Sequence, residues 1–242
     1  MLVSDEGFDG IIIKLAGDFA SIKIDDENFC ECGAAVSTAK LHNFYLDNNL
    51  EGAEFLAGIP GSIGGAIKMN AGTKDVGISS ILQEITLIDN FLEIKTIAAE
   101  QIDWQYRNSS IKNDEIILSA KFKSNKVSDA KIDEIKSKIS QMNERRRESQ
   151  PIGMPSCGSV FKNPVGNSAG KLIEEAGLKG KEIGGAIISD VHANFIVNKN
   201  CASAQDVVSL IQLAQKEVFE KFGVKLQTEL KFLGFDKQCS LF

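Results

Sequence analysis

Histidine is scarce in this chain of 242 residues: only His42 and His192 are present, too few for a histidine-rich metal centre, and no metal is expected. The five cysteines, Cys30, Cys32, Cys157, Cys201 and Cys239, are odd in number and scattered, which suggests neither a disulfide framework nor a zinc site. Cys30-Glu31-Cys32 is one residue short of a redox Cys-x-x-Cys. No apolar run approaches the roughly 20 residues a membrane span needs. Met1 leads into mixed sequence without a basic n-region and an apolar stretch, so a cytoplasmic location and no membrane partner are expected. Positive charge is in deficit, 27 Lys and Arg against 33 Asp and Glu, and the net charge of −6 argues against a nucleic-acid partner.

What is present is ordinary in bulk and unusual in one place. Apolar residues at 43% and charged residues at 25% fit a globular protein, and the length suffices for two lobes. Gly58 to Gly72 reads Gly-Ile-Pro-Gly-Ser-Ile-Gly-Gly-Ala-Ile-Lys-Met-Asn-Ala-Gly, five glycines in fifteen residues. Glycine permits positive φ and removes the Cβ, so successive N–H groups can close on an anion such as a pyrophosphate. The segment matches neither the P-loop nor the dinucleotide fingerprint in order. A glycine-rich turn in a β domain remains the plain alternative, and Asn70 beside Ala71 and Gly72 favours a binding loop.

The texture changes near residue 125. Before it, Gly10 to Leu15, Ala20 to Ile24, Ile85 to Ile88 and Ile116 to Phe122 read as short strands, and Leu41 to Leu50 as a helix. After it, Ile132, Ile135, Ile139 and Met142 give Asp129 to Arg147 the spacing of an amphipathic helix, placed as a bridge between lobes. A helix from about Ala169 to Ala176 stops at Gly177, and strand-like Ala186 to Ser189 and Phe195 to Val197 follow. The last helix, Ala204 to Phe222, carries Val207, Val208, Ile211, Ala214, Val218 and Phe219 on one stripe and ends at Gly223. Lys225 to Leu233 alternates as a final strand, with Leu226, Thr228, Leu230 and Phe232 on one face and Glu229 on the other. Domains are expected at 1–128 and 129–242, with 224–235 as a returning strand.

Three further constellations carry polar chemistry. Pro155-Ser156-Cys157-Gly158-Ser159-Val160-Phe161-Lys162-Asn163-Pro164 sets two hydroxyls and a thiol beside a lysine and an amide. Ser159 lacks the Gly-x-Ser-x-Gly setting of a hydrolase elbow, which leaves it open as a proton donor. In Tyr106-Arg107-Asn108-Ser109-Ser110, Arg107 is either a clamp for a carboxylate or a surface arginine in a turn. Ile183-Gly184-Gly185-Ala186 leads through Ser189 and His192 to Asn194 and Asn198, and His192 is expected to be a buried, hydrogen-bonded histidine rather than a ligand contact. Glu229 alone reads as a solvated strand residue.

Taken in order, these segments resemble the MurB family, the UDP-N-acetylenolpyruvoylglucosamine reductases. Leu2-Val3-Ser4-Asp5-Glu6-Gly7-Phe8-Asp9-Gly10 resembles the strand and turn that close the family's first flavin-binding lobe. Glu54 to Ala66 with Met69 to Gly72 resembles its flavin loop, Tyr106 to Ser109 its arginine motif, Gln150-Pro151 through Pro164 its serine motif, and Thr228 to Gly234 its C-terminal glutamate motif. The short stretch from Asp89 to Glu115 matches the shorter, second type of the family. Family members carry a further lobe, ending in a Gly-Ser-Asn turn, before the Leu-Val-Ser-Asp segment, so the resemblance implies an FAD-binding domain incomplete at its N-terminus.

The implied fold is α+β: a vanillyl-alcohol-oxidase/PCMH-like FAD-binding domain followed by an α+β substrate-binding domain. The implied reaction uses NADPH to reduce non-covalent FAD, then reduces UDP-N-acetylglucosamine enolpyruvate to UDP-N-acetylmuramate, in a protein expected to act as a monomer. By the same resemblance Gly58, Ile59, Pro60, Gly61, Ser62, Gly64, Gly65, Asn70, Ala71 and Gly72 contact FAD. Tyr106, Lys162 and Asn163 contact substrate, and Ser159, Arg107 and Glu229 are catalytic. Ser159 would protonate C2, Arg107 would supply a cation, and Glu229, if burial keeps it protonated, a second donor. A truncated, non-catalytic paralogue that binds a UDP-sugar without flavin chemistry is the alternative.

Overall fold

The computed structural model describes residues 1–26, 29–73 and 76–235 and divides the chain into two compact units, Ile12–Asn143 and a terminal unit made of Met1–Ile11 with Glu144–Phe242. The expected boundary at 128/129 stands at the head of a long helix; the division falls inside that helix, and the first eleven residues fold with the C-terminal part.

In the Ile12–Asn143 unit, five antiparallel strands lie in the order Ile22–Ile24, Phe29–Gly33, Ile116–Lys123, Leu82–Ile88 and Ile94–Ala98. Period-two alternation turns Cys30 and Cys32 to the core, both fully buried, along with Ile85, Leu87, Ala120 and Phe122. Burial pushes the Cys30 thiol up to about 12 and raises that of Cys32 further, so both act as small apolar core residues. Helices α1 (Thr38–Asp47) and α2 (Ile63–Lys68) contribute Leu41, Tyr45, Ile63 and Ile67 to that core. Ser37 caps α1 by accepting from Lys40 N–H, and the buried Tyr45 donates its hydroxyl to Lys123 O at 2.6 Å. Helix α3 (Asp129–Ser149) buries Ile132, Ile135 and Ile139 against Ala57, while Met142 is only half-buried.

In the terminal unit, four antiparallel strands run Ser156–Ser159, Phe195–Asn198, Ala186–Ile188, Glu182–Ile183. Helices α4 (Ala169–Glu175) and α5 (Ala204–Phe222) share a core with Val160, Phe161, Ile188 and Leu226. Helix α5 starts at a capping box of Ser203 and Asp206 and stops at Gly223, whose φ of 69° is the left-handed cap. Leu2–Val3 pairs in parallel with Phe232–Leu233, and Asp5 accepts the first N–H of α5, that of Ala204, at 2.7 Å.

Three local expectations change. Gly10 to Leu15 forms no strand; Ile11, Ile12 and Ile13 stand 89, 71 and 74% exposed, because apolar, β-branched residues make a strand only where a neighbouring strand takes up their backbone groups. Lys225 to Leu233 is not one continuous strand: Thr228 makes an isolated bridge to Phe161, and only Phe232–Leu233 joins a ladder. Leu226 and Leu230 are nevertheless buried as the alternation requires. Phe219 on α5 is 48% exposed, with Leu210 and Gln215 taking buried positions on the stripe. Cys239 lies outside the described residues.

Candidate active site

The glycine segment opens with two residues whose backbone only glycine adopts easily, Gly58 at φ 71° and Gly61 at φ 128°. Thr38 holds this turn by donating its hydroxyl to Ile59 O, while its backbone N–H donates to Gly61 O at 3.0 Å. Ser62 then caps α2, accepting from Gly65 N–H, and Ile63 and Gly64 donate to Val36 O and Ala34 O at 2.8 and 2.9 Å. The glycines therefore divide into two kinds. Gly72 is required by packing, since a Cβ there would lie 2.0 Å from Val76 O, whereas Gly64 is closely packed, a Cβ there lying 3.1 Å from the Ala34 Cβ. Gly58, Gly61 and Gly65 face solvent with Pro60 and Ser62, and a Cβ on Gly61 would project into open space.

The structure brings the arginine motif to this segment. Trp104–Gln105 and Asn108–Ser109 form a hairpin whose two-residue turn is Tyr106-Arg107, with Arg107 at φ 55°, an uncommon conformation for a residue with a side chain. The Arg107 guanidinium donates to Gly72 O at 3.0 Å and lies 5.2 Å from the centre of the exposed Tyr106 ring. Ser109 donates to Lys68 O at 2.8 Å, Asn70 donates to Gln105 O at 3.2 Å, and Lys68 reaches Ile111 O. Asn70, itself at φ 42°, also accepts from Ser79 N–H. Arg107 is thus half-buried and anchored on one side, which restricts where its remaining donors can point.

The serine and glutamate motifs meet in the terminal unit. Glu229 N–H donates to Val160 O at 2.8 Å, Lys162 N–H donates to Gln227 O at 2.9 Å, and Phe161 bridges Thr228. Val160, next to Ser159, is therefore set opposite Glu229. Ser159 is exposed at the end of its strand, after Gly158 at φ 78°, and Glu229 and Lys162 are half-buried. Asn163 is exposed, but its Oδ1 accepts from Ala169 N–H at 3.0 Å and so shapes the loop into α4. Cys157 is exposed, and its thiol donates to Met1 O at 3.2 Å. A cavity of about 320 Å³ between Gln215, Phe219, Lys225 and Leu226 includes none of the motif residues in its lining.

The third constellation is a network of turns. Asp206 accepts from Gly185 and Ser203 N–H groups, which holds its carboxyl below the usual range, and Asn198 accepts from Ala202 N–H. His192 is half-buried, accepts Asn194 N–H on Nδ1 at 3.1 Å and meets Phe195 edge-on at 5.0 Å. Nδ1 is therefore the unprotonated nitrogen, and burial lowers the pKa of the ring. Asn194, which the sequence places in this constellation without a role, is 4% exposed, and its amide grips both backbone groups of Phe161. A polar residue inside an otherwise apolar strand start, Ala193-Asn194-Phe195-Ile196-Val197, was the available signal.

Comparison with known proteins decides the family. The family model described as UDP-N-acetylenolpyruvoylglucosamine reductase, C-terminal domain, matches residues 150–233, and that described as FAD binding domain matches residues 1–91. UDP-N-acetylenolpyruvoylglucosamine reductase 2 of Bacillus thuringiensis subsp. konkukian is 41% identical over 239 residues, 98% of this chain and 77% of that protein. The reductase of Caldicellulosiruptor saccharolyticus is 44% identical over 238 residues, 97% of this chain and 75% of its own length. The chain belongs to the UDP-N-acetylenolpyruvoylglucosamine reductase (MurB) family. The crystal structure of the Thermus caldophilus member aligns with a TM-score of 0.83 at 33% identity, covering 95% of this chain and 80% of that one.

MurB reductases are FAD-dependent oxidoreductases, and the chain has their mixed α/β fold, an FAD-binding domain followed by the MurB C-terminal domain. Ser159 and Glu229 both fall in the C-terminal match, the glycine segment falls in the FAD match, and Arg107 lies between the two. The residues present suit FAD: solvent-facing Gly58, Gly61 and Gly65 leave the backbone open to close approach by a diphosphate, and side chains there would narrow that approach.

Proposed function

We propose that the chain catalyses the NADPH-dependent reduction of UDP-N-acetylglucosamine enolpyruvate to UDP-N-acetylmuramate, with FAD as its cofactor, as a cytoplasmic monomer serving peptidoglycan synthesis. The observation that supports this most directly is the hydrogen bond from Glu229 N–H to Val160 O, which brings the glutamate motif alongside the serine motif in the part of the chain most characteristic of the family. FAD held by the glycine loop would supply the redox chemistry, taking reducing equivalents from NADPH and delivering hydride at C3 of the enolpyruvyl group. Negative charge then develops at C2 and spreads into the adjoining carboxylate.

Arg107 supplies the cation at that carboxylate; its anchorage to Gly72 fixes the guanidinium in advance, and preorganised charge lowers the barrier. Ser159 gives its hydroxyl proton to C2, so that the O–H bond breaks as the C–H bond forms, and a polar neighbour restores the proton. Glu229 is assigned the second hydrogen-bond donor, a role that requires its carboxyl to carry a proton. Lys162 contacts the substrate diphosphate, as does the amide nitrogen of Asn163, whose oxygen is engaged by Ala169. Tyr106 borders the substrate through its exposed ring. Gly58, Ile59, Pro60, Gly61, Ser62, Gly64 and Gly65 with Asn70, Ala71 and Gly72 would hold the cofactor.

The test is a visible absorption spectrum of the chain with added FAD, followed by anaerobic NADPH and then the enolpyruvyl substrate. Bound flavin should bleach with NADPH and recover with substrate. A colourless protein that still binds the UDP-sugar, or bound flavin that bleaches and never recovers, would contradict the proposal.

A further inference from the structure

Asn194 makes three hydrogen bonds to the two residues that follow Ser159. Its carbonyl accepts Val160 N–H at 2.8 Å, its Oδ1 accepts Phe161 N–H at 2.9 Å, and its Nδ2 donates to Phe161 O at 2.8 Å. The amide thus replaces a rung of β-ladder, satisfying both backbone groups of one peptide residue at once. On the outward path, Val160 O accepts from Glu229 and Lys162 donates to Gln227. The backbone of 160–162 is therefore clamped between Asn194 and the segment that carries Glu229. Asn194 is itself fixed, since its N–H donates to His192 Nδ1, and Ser189 Oγ accepts from His192 N–H at 3.3 Å.

The clamp accounts for how an exposed serine at the end of a strand, following a glycine at positive φ, keeps a defined position. We propose that Asn194 is a positioning residue that sets the Ser159 hydroxyl for proton delivery, acting through the Val160–Phe161 backbone. The proposal rests on the proton-donor reading of Ser159. No other side chain serves as well at this position. Aspartate matches the shape but lacks the donor for Phe161 O, and leucine would leave both groups unpaired beside a side chain that is only 2% exposed. Misplacement of a reacting group by about 1 Å costs on the order of a hundredfold in rate.

The experiment uses the FAD-loaded full chain in rapid mixing, with rate constants scaled to bound flavin so that unfolded molecules drop out. Asn194→Asp is expected to slow reoxidation by the enolpyruvyl substrate at least about tenfold, with a larger solvent deuterium isotope effect, while reduction by NADPH stays within about twofold. Asn194→Ser, shorter but still able to make one of the hydrogen bonds, is the second variant and should fall between. A purely structural role would lower the amount of flavin-binding protein and leave the rate constant and isotope effect unchanged; that result for both variants overturns the proposal. Ser159→Ala run in parallel separates the two readings. If it reoxidises at the unaltered rate, the proton-donor reading fails; if it is slow while the Asn194 variants are fast, the positioning role fails alone.

Discussion

Residues 58–72 and residues 159–162 are held in opposite ways. In the first, side chains from elsewhere reach the backbone: Thr38 to Ile59 O, Ser109 to Lys68 O, Arg107 to Gly72 O. These carbonyls are consumed, as are the N–H groups of Ile63, Gly64 and Gly65, and the surface left over at Gly58, Gly61 and Gly65 carries no side chain, which suits close approach by a large, flat or diphosphate-bearing cofactor. In the second, the backbone is consumed from both edges, by Gln227 and Glu229 on one and Asn194 on the other, and the side chains of Ser159 and Lys162 are what remains to act. A binding surface made of backbone depends on the absence of Cβ atoms. A reacting surface made of side chains depends on the rigidity of the strand beneath.

The largest break in this comparison is expected from Ser159→Ala, which removes the hydroxyl to which the proposal gives proton delivery. Reoxidation of reduced flavin by the enolpyruvyl substrate should fall by about 10²–10⁴, the usual range for a proton-transfer group. Flavin binding and reduction by NADPH should be unaffected, as followed by rapid mixing.

Two glycine substitutions come next and sharpen the division of the loop into packing and open positions. Gly72→Ala must displace backbone, with Val76 O 2.0 Å from the new Cβ, and should cost about 1–3 kcal/mol in stability. Thermal melting would register roughly 2–4 °C for each kcal/mol in a protein of this size. Gly61→Ala meets no atom within 4 Å and carries only the strain of its φ of 128°. Its expected signature is weaker FAD binding, by about tenfold or about 1.4 kcal/mol, with a smaller fall in melting temperature than Gly72→Ala.

The smallest effect concerns the base of the serine strand. Burial, with a contribution from Lys179 and opposed by Glu174, lowers the pKa of His192 below its usual 6.5. As pH falls through that value the unfolded chain takes up a proton that the folded protein resists, so stability decreases toward acid and is fully present above it. Melting temperatures should therefore decline on acidification more steeply for the unaltered chain than for His192→Gln.

Much of this was legible in the residues, and the parts that were not share a cause. Helix α5 spans the residues its periodicity indicates, Ala204 to Phe222, because Ser203 and Gly223 mark both ends locally. The serine, arginine and glutamate motifs were visible because polar side chains in unusual local settings stand out within a single short segment. Phe29–Gly33 went unread as a central strand because Phe-Cys-Glu-Cys-Gly looks like sulfur chemistry until its neighbours bury both cysteines. Gly10 to Leu15 and Lys225 to Leu233 have strand-like residues, yet ladder formation depends on partners remote in sequence. The clamp of Asn194 on Phe161 joins residues 33 apart, and the anchorage of Arg107 to Gly72 joins residues 35 apart. No local pattern announces such pairs.

The central claim is that cofactor retention belongs to the backbone of the glycine loop and proton delivery to the serine strand. The most direct measurement sets Gly61→Ala beside Ser159→Ala, determining for each the FAD affinity and the reoxidation rate constant per bound flavin. The prediction is a crossed result: weaker FAD with an unaltered rate constant in the first, unaltered FAD affinity with a collapsed rate constant in the second. Parallel losses of affinity and rate in both variants would contradict it.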